Sequence, residues 1–79
     1  MNTQQNSQNI LSKLIEETKF SGLDEYPVDI AELQDELKLN DVETKSAIEL
    51  LVSRELVSYR AIGNSMIQLT DKGKPSLKK

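Results

Sequence analysis

The apolar residues of the chain recur every three or four positions up to about residue 54, and every second position after it. The first spacing is typical of an amphipathic helix and the second of a β-strand. Helical spacing occurs in three segments, 9–21, 29–39 and 41–54. Strand spacing occurs on both sides of a compact turn, Gly63-Asn64-Ser65. The pattern predicts three helices followed by a two-stranded hairpin over 57–70.

Polar residues mark where the second and third helices begin. Asp29 precedes the second helix, and Glu32 follows three residues later. Asn40 and Glu43 repeat this arrangement at the third helix. In such a capping box the first side chain binds a free backbone N–H group of the helix, and the glutamate binds the N–H group of the cap. A tight turn at Leu39 and Asn40 is therefore predicted to join the two helices.

The third helix is predicted to have one face in the core and one in solvent. With successive residues about 100° apart, the core face consists of Thr44, Ala47, Ile48 and Leu51. The opposite face consists of Val42, Ser46, Glu49 and Ser53, with Lys45 and Leu50 on its flanks. These outer residues are the ones that the helix can present to a partner.

The division of the chain follows from the same pattern. The predicted domain spans 8–74, preceded by a polar stretch, 1–7, that we expect to be a disordered tail. A basic tail is expected over 75–79. Val28 can add one short strand, and the hairpin must pack on the helices because two strands alone are not stable. The expected fold is α+β, mainly helical, with a small sheet.

The composition is that of a small globular protein. Of the 79 residues, 37% are hydrophobic and 29% are charged, which allows one small core. The absence of cysteine suits a reducing compartment. The longest apolar run, Leu50 to Val52, is far shorter than the ~20 residues of a membrane span. The N-terminus has no features of a signal peptide, and a cytoplasmic location is predicted.

Charge is unevenly distributed along the chain. The net charge is −3, which by itself argues against a nucleic-acid partner. Residues 1–40 contain three lysines and eight acidic residues, whereas residues 41–79 contain seven basic and five acidic residues. From residue 57 onward, five basic residues accompany a single acidic one, Asp71. The positive end of the chain is therefore the hairpin and the tail after it.

Two residue types that catalysis often uses are missing. The sequence has no histidine and no cysteine, which excludes imidazole bases, thiolate nucleophiles and the usual zinc ligand sets. No glycine-rich loop resembles a phosphate-binding loop. Clustered carboxylates can do acid–base work or hold Mg²⁺ or Ca²⁺, but their spacing here is that of helix caps on solvated faces. We predict that the protein is not an enzyme and that it binds no metal or cofactor.

The C-terminal half carries residues typical of one family of regulators. They are a polar cap at Asn40, Leu51 in the third helix, Leu56-Val57 after it and Leu69-Thr70-Asp71-Lys72-Gly73 after the hairpin. Over about 29–73 the chain resembles the MarR-like and related winged helix-turn-helix regulators of bacteria, archaea and phages. The resemblance implies a helical DNA-binding domain with a basic hairpin, the wing. Glu55 departs from the pattern, since the family usually has glycine at that position.

Candidate DNA contacts follow from this arrangement. The second helix of a helix-turn-helix enters the major groove with its N-terminal residues, so helix 41–54 is predicted to lie there and hairpin 57–70 to form the wing. Lys45 can contact a phosphate or a guanine, and Ser46 can form a hydrogen bond with either of them. Glu49 can accept a hydrogen bond from N4 of a cytosine. The full set of predicted contacts to double-stranded DNA is Asn40, Lys45, Ser46, Glu49, Arg60, Asn64, Ser65, Lys72 and Lys74.

Two features favour a different class of function. Three acidic residues and one lysine lie on the outer part of the third helix, and carboxylates near phosphates weaken binding. Val42 and Leu50 lie off the core face, and exposed aliphatic side chains on such a helix are typical of a protein interface, although one or two are also ordinary surface. The main prediction is a small DNA-binding transcriptional regulator that forms a homodimer. The alternative prediction is a winged helix for protein–protein contact or dimerisation without significant DNA binding.

Overall fold

Within its described part, the protein forms three helices and a three-stranded sheet. The computed structural model describes residues 2–22, 26–60 and 65–73. In chain order the elements are α1 (Thr3–Ser21), β1 (Val28–Asp29), α2 (Ile30–Leu37), α3 (Asp41–Ser53), β2 (Val57–Arg60) and β3 (Met66–Leu69). The predicted α+β class is confirmed. The sheet has one strand more than the predicted two-stranded hairpin, because the short strand expected near Val28 joins it.

The middle strand of the antiparallel sheet is β3, with the order β1-β3-β2. Val28 of β1 and Tyr59 of β2 both lie opposite Ile67 of β3. The contact continues beyond β1, since the N–H group of Ile30 donates to the carbonyl of Ser65 over 3.0 Å. β1 therefore covers the edge of β3 that a hairpin alone leaves without partners.

The first helix begins at Thr3, inside the stretch 1–7 for which the sequence predicts a disordered tail. The side chain of Asn2 caps it by accepting a hydrogen bond of 2.9 Å from the N–H group of Gln5. Ser7 is 1% exposed, and its hydroxyl donates to the carbonyl of Gln4 over 2.7 Å. A hydroxyl that bonds to its own helix can be buried, so the helix extends further than its apolar residues indicate. The structure thus replaces residues 3–7 of the expected tail with helix.

The core lies between α1, α3 and the inner face of the sheet. Its buried apolar side chains are Ile10, Leu14, Val28, Leu33, Ala47, Ile48, Leu51, Val57, Ile67 and Leu69. α1 packs directly across α3. The predicted core face of α3 is confirmed, because all four of its residues are buried.

The second helix begins at its predicted cap. The carboxylate of Asp29 accepts a hydrogen bond of 2.8 Å from the N–H group of Ala31. The bond thus reaches Ala31, whereas the predicted capping box requires a bond to the N–H group of Glu32, one residue further along the helix. The carboxylate lies at a helix N-terminus, where the free N–H groups favour negative charge.

A tight turn joins α2 to α3, as predicted. Lys38 adopts a left-handed backbone with φ of 57°, and the N–H group of Leu39 donates to the carbonyl of Gln34 over 3.0 Å. Asn40 and Glu43 form the predicted capping box through hydrogen bonds of 2.7 and 3.0 Å. The start of α3 is therefore fixed by local bonds within the turn.

The segment after β3 is attached to the end of α3. The N–H group of Thr70 donates to the carbonyl of Leu56 over 3.0 Å, and its hydroxyl donates to the carbonyl of Glu55. Gly73 lies so close to Leu56 that a Cβ atom on Gly73 would be 2.5 Å from the carbonyl oxygen of Leu56. Glu55 has φ of 62°, a conformation that glycine adopts most easily. We call Glu55, Leu56, Thr70 and Gly73 the α3–β3 clamp, because together they hold the hairpin against the helices.

Gly73→Ala is expected to destabilise the protein by about 1–3 kcal/mol, because the new methyl group must displace the backbone of Leu56. Gly22→Ala is the matched control: Gly22 has φ of 74°, and an added Cβ there would meet nothing within 4 Å. The control should lose only about 1 kcal/mol, from backbone strain alone. Urea denaturation measures both losses, and equal losses would contradict a steric role for Gly73.

Glu55→Gly is expected to stabilise the protein by about 0.5–1 kcal/mol, since glycine adopts a positive φ without strain. The substitution also breaks an ion pair with Lys72 whose nitrogen and oxygen are 3.8 Å apart at the surface, and such exposed pairs contribute little. Glu55→Ala breaks the same pair but retains the Cβ, so it should bring no gain. Thermal denaturation compares the two variants; an equal gain in both would mean that the φ of Glu55 is not the cause.

Candidate nucleic-acid interface

The outer face of α3 is turned away from the core. Its inner face packs on α1 and the sheet, so the opposite residues meet solvent. Val42 is 62% exposed, Lys45 and Glu49 are exposed, and Ser46 and Leu50 are half-buried. The structure therefore places three predicted DNA contacts and both predicted interface residues along one accessible side of the helix.

Asn40 is exposed, but its side chain is part of the helix cap. Its Oδ1 atom accepts a hydrogen bond of 2.7 Å from the N–H group of Glu43. Its own N–H group donates to the carboxylate of Glu43 over 3.0 Å. Asn40 therefore fixes the first turn of α3, which leaves the side-chain NH₂ group to donate to a ligand.

The carboxylates of α3 are less available than the sequence suggests. Glu43 is occupied by the capping box, and Asp41 accepts a hydrogen bond of 2.7 Å from the side-chain amide of Gln34 in α2. Both lie in the first turn of the helix, where backbone N–H groups partly compensate negative charge. Glu49 is the one acidic residue of α3 beyond that turn. The charge that opposes a phosphate on the outer face is thus concentrated at Glu49.

A groove between α2, α3 and β2 opens beside the outer face. Lys45, Gln34 and Tyr59 belong to its lining. From its alternation with Val57, Tyr59 is expected to face the core, but it is only half-buried. Partial burial, and secondly the negative charge of Glu49, raise the pKa of the Tyr59 phenol. Tyr59 is therefore a site residue that strand periodicity alone does not identify.

The hairpin contributes one exposed cation. Arg60 is the last residue of β2 and lies opposite Met66. Ser65 is exposed, and its carbonyl accepts the hydrogen bond from Ile30 described above, which ties it to the sheet. Tyr59 and Lys45 line the same groove, and Arg60 follows Tyr59 directly in β2. The backbone of Arg60 is therefore one residue away from that groove. Two other predicted contacts, Asn64 and Lys74, lie outside the described residues.

Lys72 is exposed in the turn after β3. Its ammonium nitrogen lies 3.8 Å from a carboxylate oxygen of Glu55, and the two side chains are 64% and 77% exposed. Because solvent screens the two charges, such a pair contributes less than ~1 kcal/mol to stability. Lys72 can therefore exchange Glu55 for another anion, such as a phosphate.

Glu49→Gln is expected to lower the pKa of Tyr59 toward its ordinary value of 10.0, because it removes the nearby negative charge. Part of the rise should persist, since burial is its larger cause. Ultraviolet absorbance titration in a Tyr26→Phe background isolates the Tyr59 signal. An unchanged pKa of Tyr59 would contradict the proximity of Glu49.

The same pKa shift has a consequence for stability. The folded-state pKa of Tyr59 is above its unfolded value of 10.0, so the folded state retains the phenol proton where the unfolded state loses it. The contribution of Tyr59 to stability is therefore fully present below pH 10.0 and is lost as the pH rises through the folded-state pKa.

In the ranges that the structure describes, no helix is long and apolar enough to cross a membrane. The same ranges contain no group of three or more side chains suited to bind a metal ion. Comparison of the chain with protein families, with curated proteins and with solved structures gave no match.

Proposed function

We propose that the chain is a winged helix-turn-helix domain that binds double-stranded DNA, with α3 in the major groove and the β2–β3 hairpin as the wing. The observation that carries this proposal is the accessible outer face of α3 directly after a tight, capped turn from α2. The hairpin that follows, with Arg60 exposed at its edge, supports the same assignment.

The dimensions of α3 fit this role. The helix has 13 residues, which corresponds to a length of about 20 Å. The major groove, about 12 Å wide, admits an α-helix. Because the turn between α2 and α3 is tight, the N-terminal half of α3 can approach the bases before the rest of the domain meets the DNA backbone.

The charge distribution supports a shallow, oriented contact. From α3 onward, the described cations are Lys45 on α3, Arg54 at the end of α3, Arg60 on β2 and Lys72 after β3. Eight of the 13 acidic residues lie in residues 1–40, which contain α1 and α2. Phosphates repel that half and attract the other. In this arrangement Lys45, Arg60 and Lys72 each contact a phosphate, while Lys45 and Ser46 also reach base edges.

A domain that contacts DNA through these residues acts by occupying a site. We therefore extend the proposal to a small cytoplasmic transcriptional regulator without enzymatic activity, metal or cofactor. Its sequence preference would come from Lys45 and Ser46, which follow the capped first turn of α3 and lie on its outer face.

Lys45→Gln and Arg60→Gln are each expected to weaken binding to generic duplex DNA by roughly eightfold at 0.1 M salt, the effect of one lost phosphate contact. Glu49→Gln should strengthen it, because a repulsive carboxylate is removed. Gln4→Glu is the control: it changes the charge by one unit on an exposed residue of α1, behind α3, and should have little effect. Gel-shift titration measures all four variants.

The salt dependence checks the same contacts. Three phosphate contacts predict that raising salt from about 50 to about 200 mM weakens binding roughly 40-fold. Absence of a complex at the lower salt concentration would contradict the proposal. Equal losses in Lys45→Gln and Gln4→Glu would show that net charge, rather than the outer face of α3, governs the affinity.

One observation favours protein contact as a second candidate function: Val42, in the first turn of α3, is 62% exposed on the proposed DNA face. A valine near phosphates gains nothing, whereas it can be buried in a protein interface. Under this alternative, Val42→Asp or Leu50→Glu would block a protein complex, and duplex DNA would not bind at low salt.

A further inference from the structure

A groove on the acidic half of the protein lies apart from the proposed DNA surface. It opens where α1, α2 and the β1 edge of the sheet meet, and its volume is about 290 Å³. Three elements each contribute carboxylates to its lining, which are Glu17 of α1, Asp29 of β1, and Glu32 and Glu36 of α2. We call this site the acidic groove.

The carboxylates of the acidic groove exceed the positive charge that the chain places beside them. The Nζ atom of Lys13 lies 3.1 Å from a carboxylate oxygen of Glu36 and 3.4 Å from one of Glu17. Glu32 is exposed and has no ion-pair partner among the described residues. Asp29 uses one carboxylate oxygen for the cap of α2, which leaves the other oxygen for a ligand. Four carboxylates thus face one described lysine, and the groove attracts cations.

The rest of the lining is mainly apolar. It consists of Tyr26, Pro27, Val28 and Met66. A cation can lie against the face of a tyrosine ring, and the aliphatic side chains can remove methylene groups from water. The acidic groove therefore suits a molecule that has both cationic groups and an aliphatic chain.

A buried amide beside the groove lacks a hydrogen-bond donor. Gln68 is 6% exposed, and no described residue donates to its Oε1 atom. Met66 and Gln68 are two residues apart in β3, so their side chains point to the same face of the sheet. Because the register pairs Asp29 with Met66, it places Pro27 opposite Gln68. Three lining residues thus adjoin this amide. Since a buried acceptor without a donor is costly, a donor from a bound molecule would stabilise it.

We propose that the acidic groove binds a linear aliphatic polyamine, in which ammonium groups alternate with short methylene chains. Glu32 and Glu36 are about one helical turn apart, with their Cβ atoms separated by roughly 6 Å, and Asp29 precedes Glu32 by three residues. The carboxylates therefore form a row, and successive ammonium groups pair with successive carboxylates. An alkylammonium group has three N–H donors, so one of them also bonds to Oε1 of Gln68.

The row of charges fits a polyamine better than a metal ion or a protein partner. A metal ion needs oxygen ligands that converge on one point, and the described ranges contain no group of three or more side chains suited to this. The volume is close to the lower end of small-molecule pockets, ~300 Å³. A protein partner covers about 800 Å² on each side, which extends far beyond the groove.

The polyamine site is independent of whether α3 binds DNA. Around α2, Gln34 lies about 200° from Glu32, and its side chain donates to Asp41 of α3. The acidic groove therefore opens on the side of α2 that faces away from α3. Binding can be measured without DNA.

Titration of the unaltered chain with spermidine tests the site. Calorimetry at about 0.1 M salt, where exposed charges more than ~10 Å apart are largely screened, measures the affinity. Heteronuclear NMR locates the contact: the backbone amide signals of residues 28–36 and 66–68 should shift, while those of α3 stay unchanged. The proposal is overturned if spermidine does not bind, or if the shifts lie outside the acidic groove.

Glu32→Gln is expected to weaken spermidine binding roughly fivefold, the effect of one lost ion pair. Asp35→Asn is the matched control, because it removes the same charge from an exposed position of α2 that lines a different groove, with Gln34 and Lys38. The control should change the affinity less than about twofold. Equal losses in both variants would show that net charge attracts spermidine, and would overturn the site.

Gln68→Met removes the amide and retains an unbranched side chain of similar length. It should weaken spermidine binding roughly tenfold, because a hydrogen bond to a charged group is lost. The stability of the free protein should not fall, since the variant also removes the acceptor that lacks a donor. An unchanged affinity would contradict the proposed bond to Oε1.

A blocked trilysine peptide, which has the same charge as spermidine, distinguishes the two sources of ammonium groups. It should bind more weakly than spermidine, because its ammonium groups are separated by peptide backbone rather than by methylene chains alone. Tighter binding of the peptide to the same residues would assign the acidic groove to a basic protein segment and overturn the assignment to a polyamine.

Discussion

The packing of α1 across α3 determines which surfaces the molecule can offer. The inner face of α3 packs on α1 and on the sheet, and Ala47, Ile48 and Leu51 on that face are at most 2% exposed. A helix with one face buried in this way presents its opposite face, here Val42, Lys45 and Glu49, to solvent. The same contact buries the inner line of α1 and leaves Phe20 outside. The accessible face of α3, on which the proposed function depends, therefore follows from this one contact.

Two sets of short-range contacts then fix the position of the neighbouring elements. The capping box at Asn40 sets where α3 begins, and therefore which side chains follow its first turn. The α3–β3 clamp sets where the hairpin lies, because Thr70 and Gly73 meet the backbone of Leu56 directly. Thr70 and Gly73 thus each have a physical role in the position of the hairpin. Glu55, which belongs to the same clamp, has a positive φ that glycine adopts most easily.

Local patterns in the sequence were sufficient for much of the fold. The core face of α3 and the cap at Asn40 depend on residues within a few positions of each other, and both are confirmed. The start of α1 could not be read from apolar spacing, because the buried Ser7 is polar and satisfied by its own helix. The availability of Asp41 depends on Gln34 in another helix. The exposure of Phe20 and the partial exposure of Tyr59 likewise depend on how the elements pack, which spacing along one element does not encode.

The proposed DNA-binding surface consists of the outer face of α3 and the adjacent hairpin and does not include α1. A heteronuclear NMR titration with a short duplex at low salt locates the contact residue by residue. The backbone amide signals of the N-terminal half of α3, of Tyr59 and of Arg60 are expected to shift with added duplex, while those of α1 stay unchanged. The largest shifts on α1, or no shifts at all, would rule out this surface.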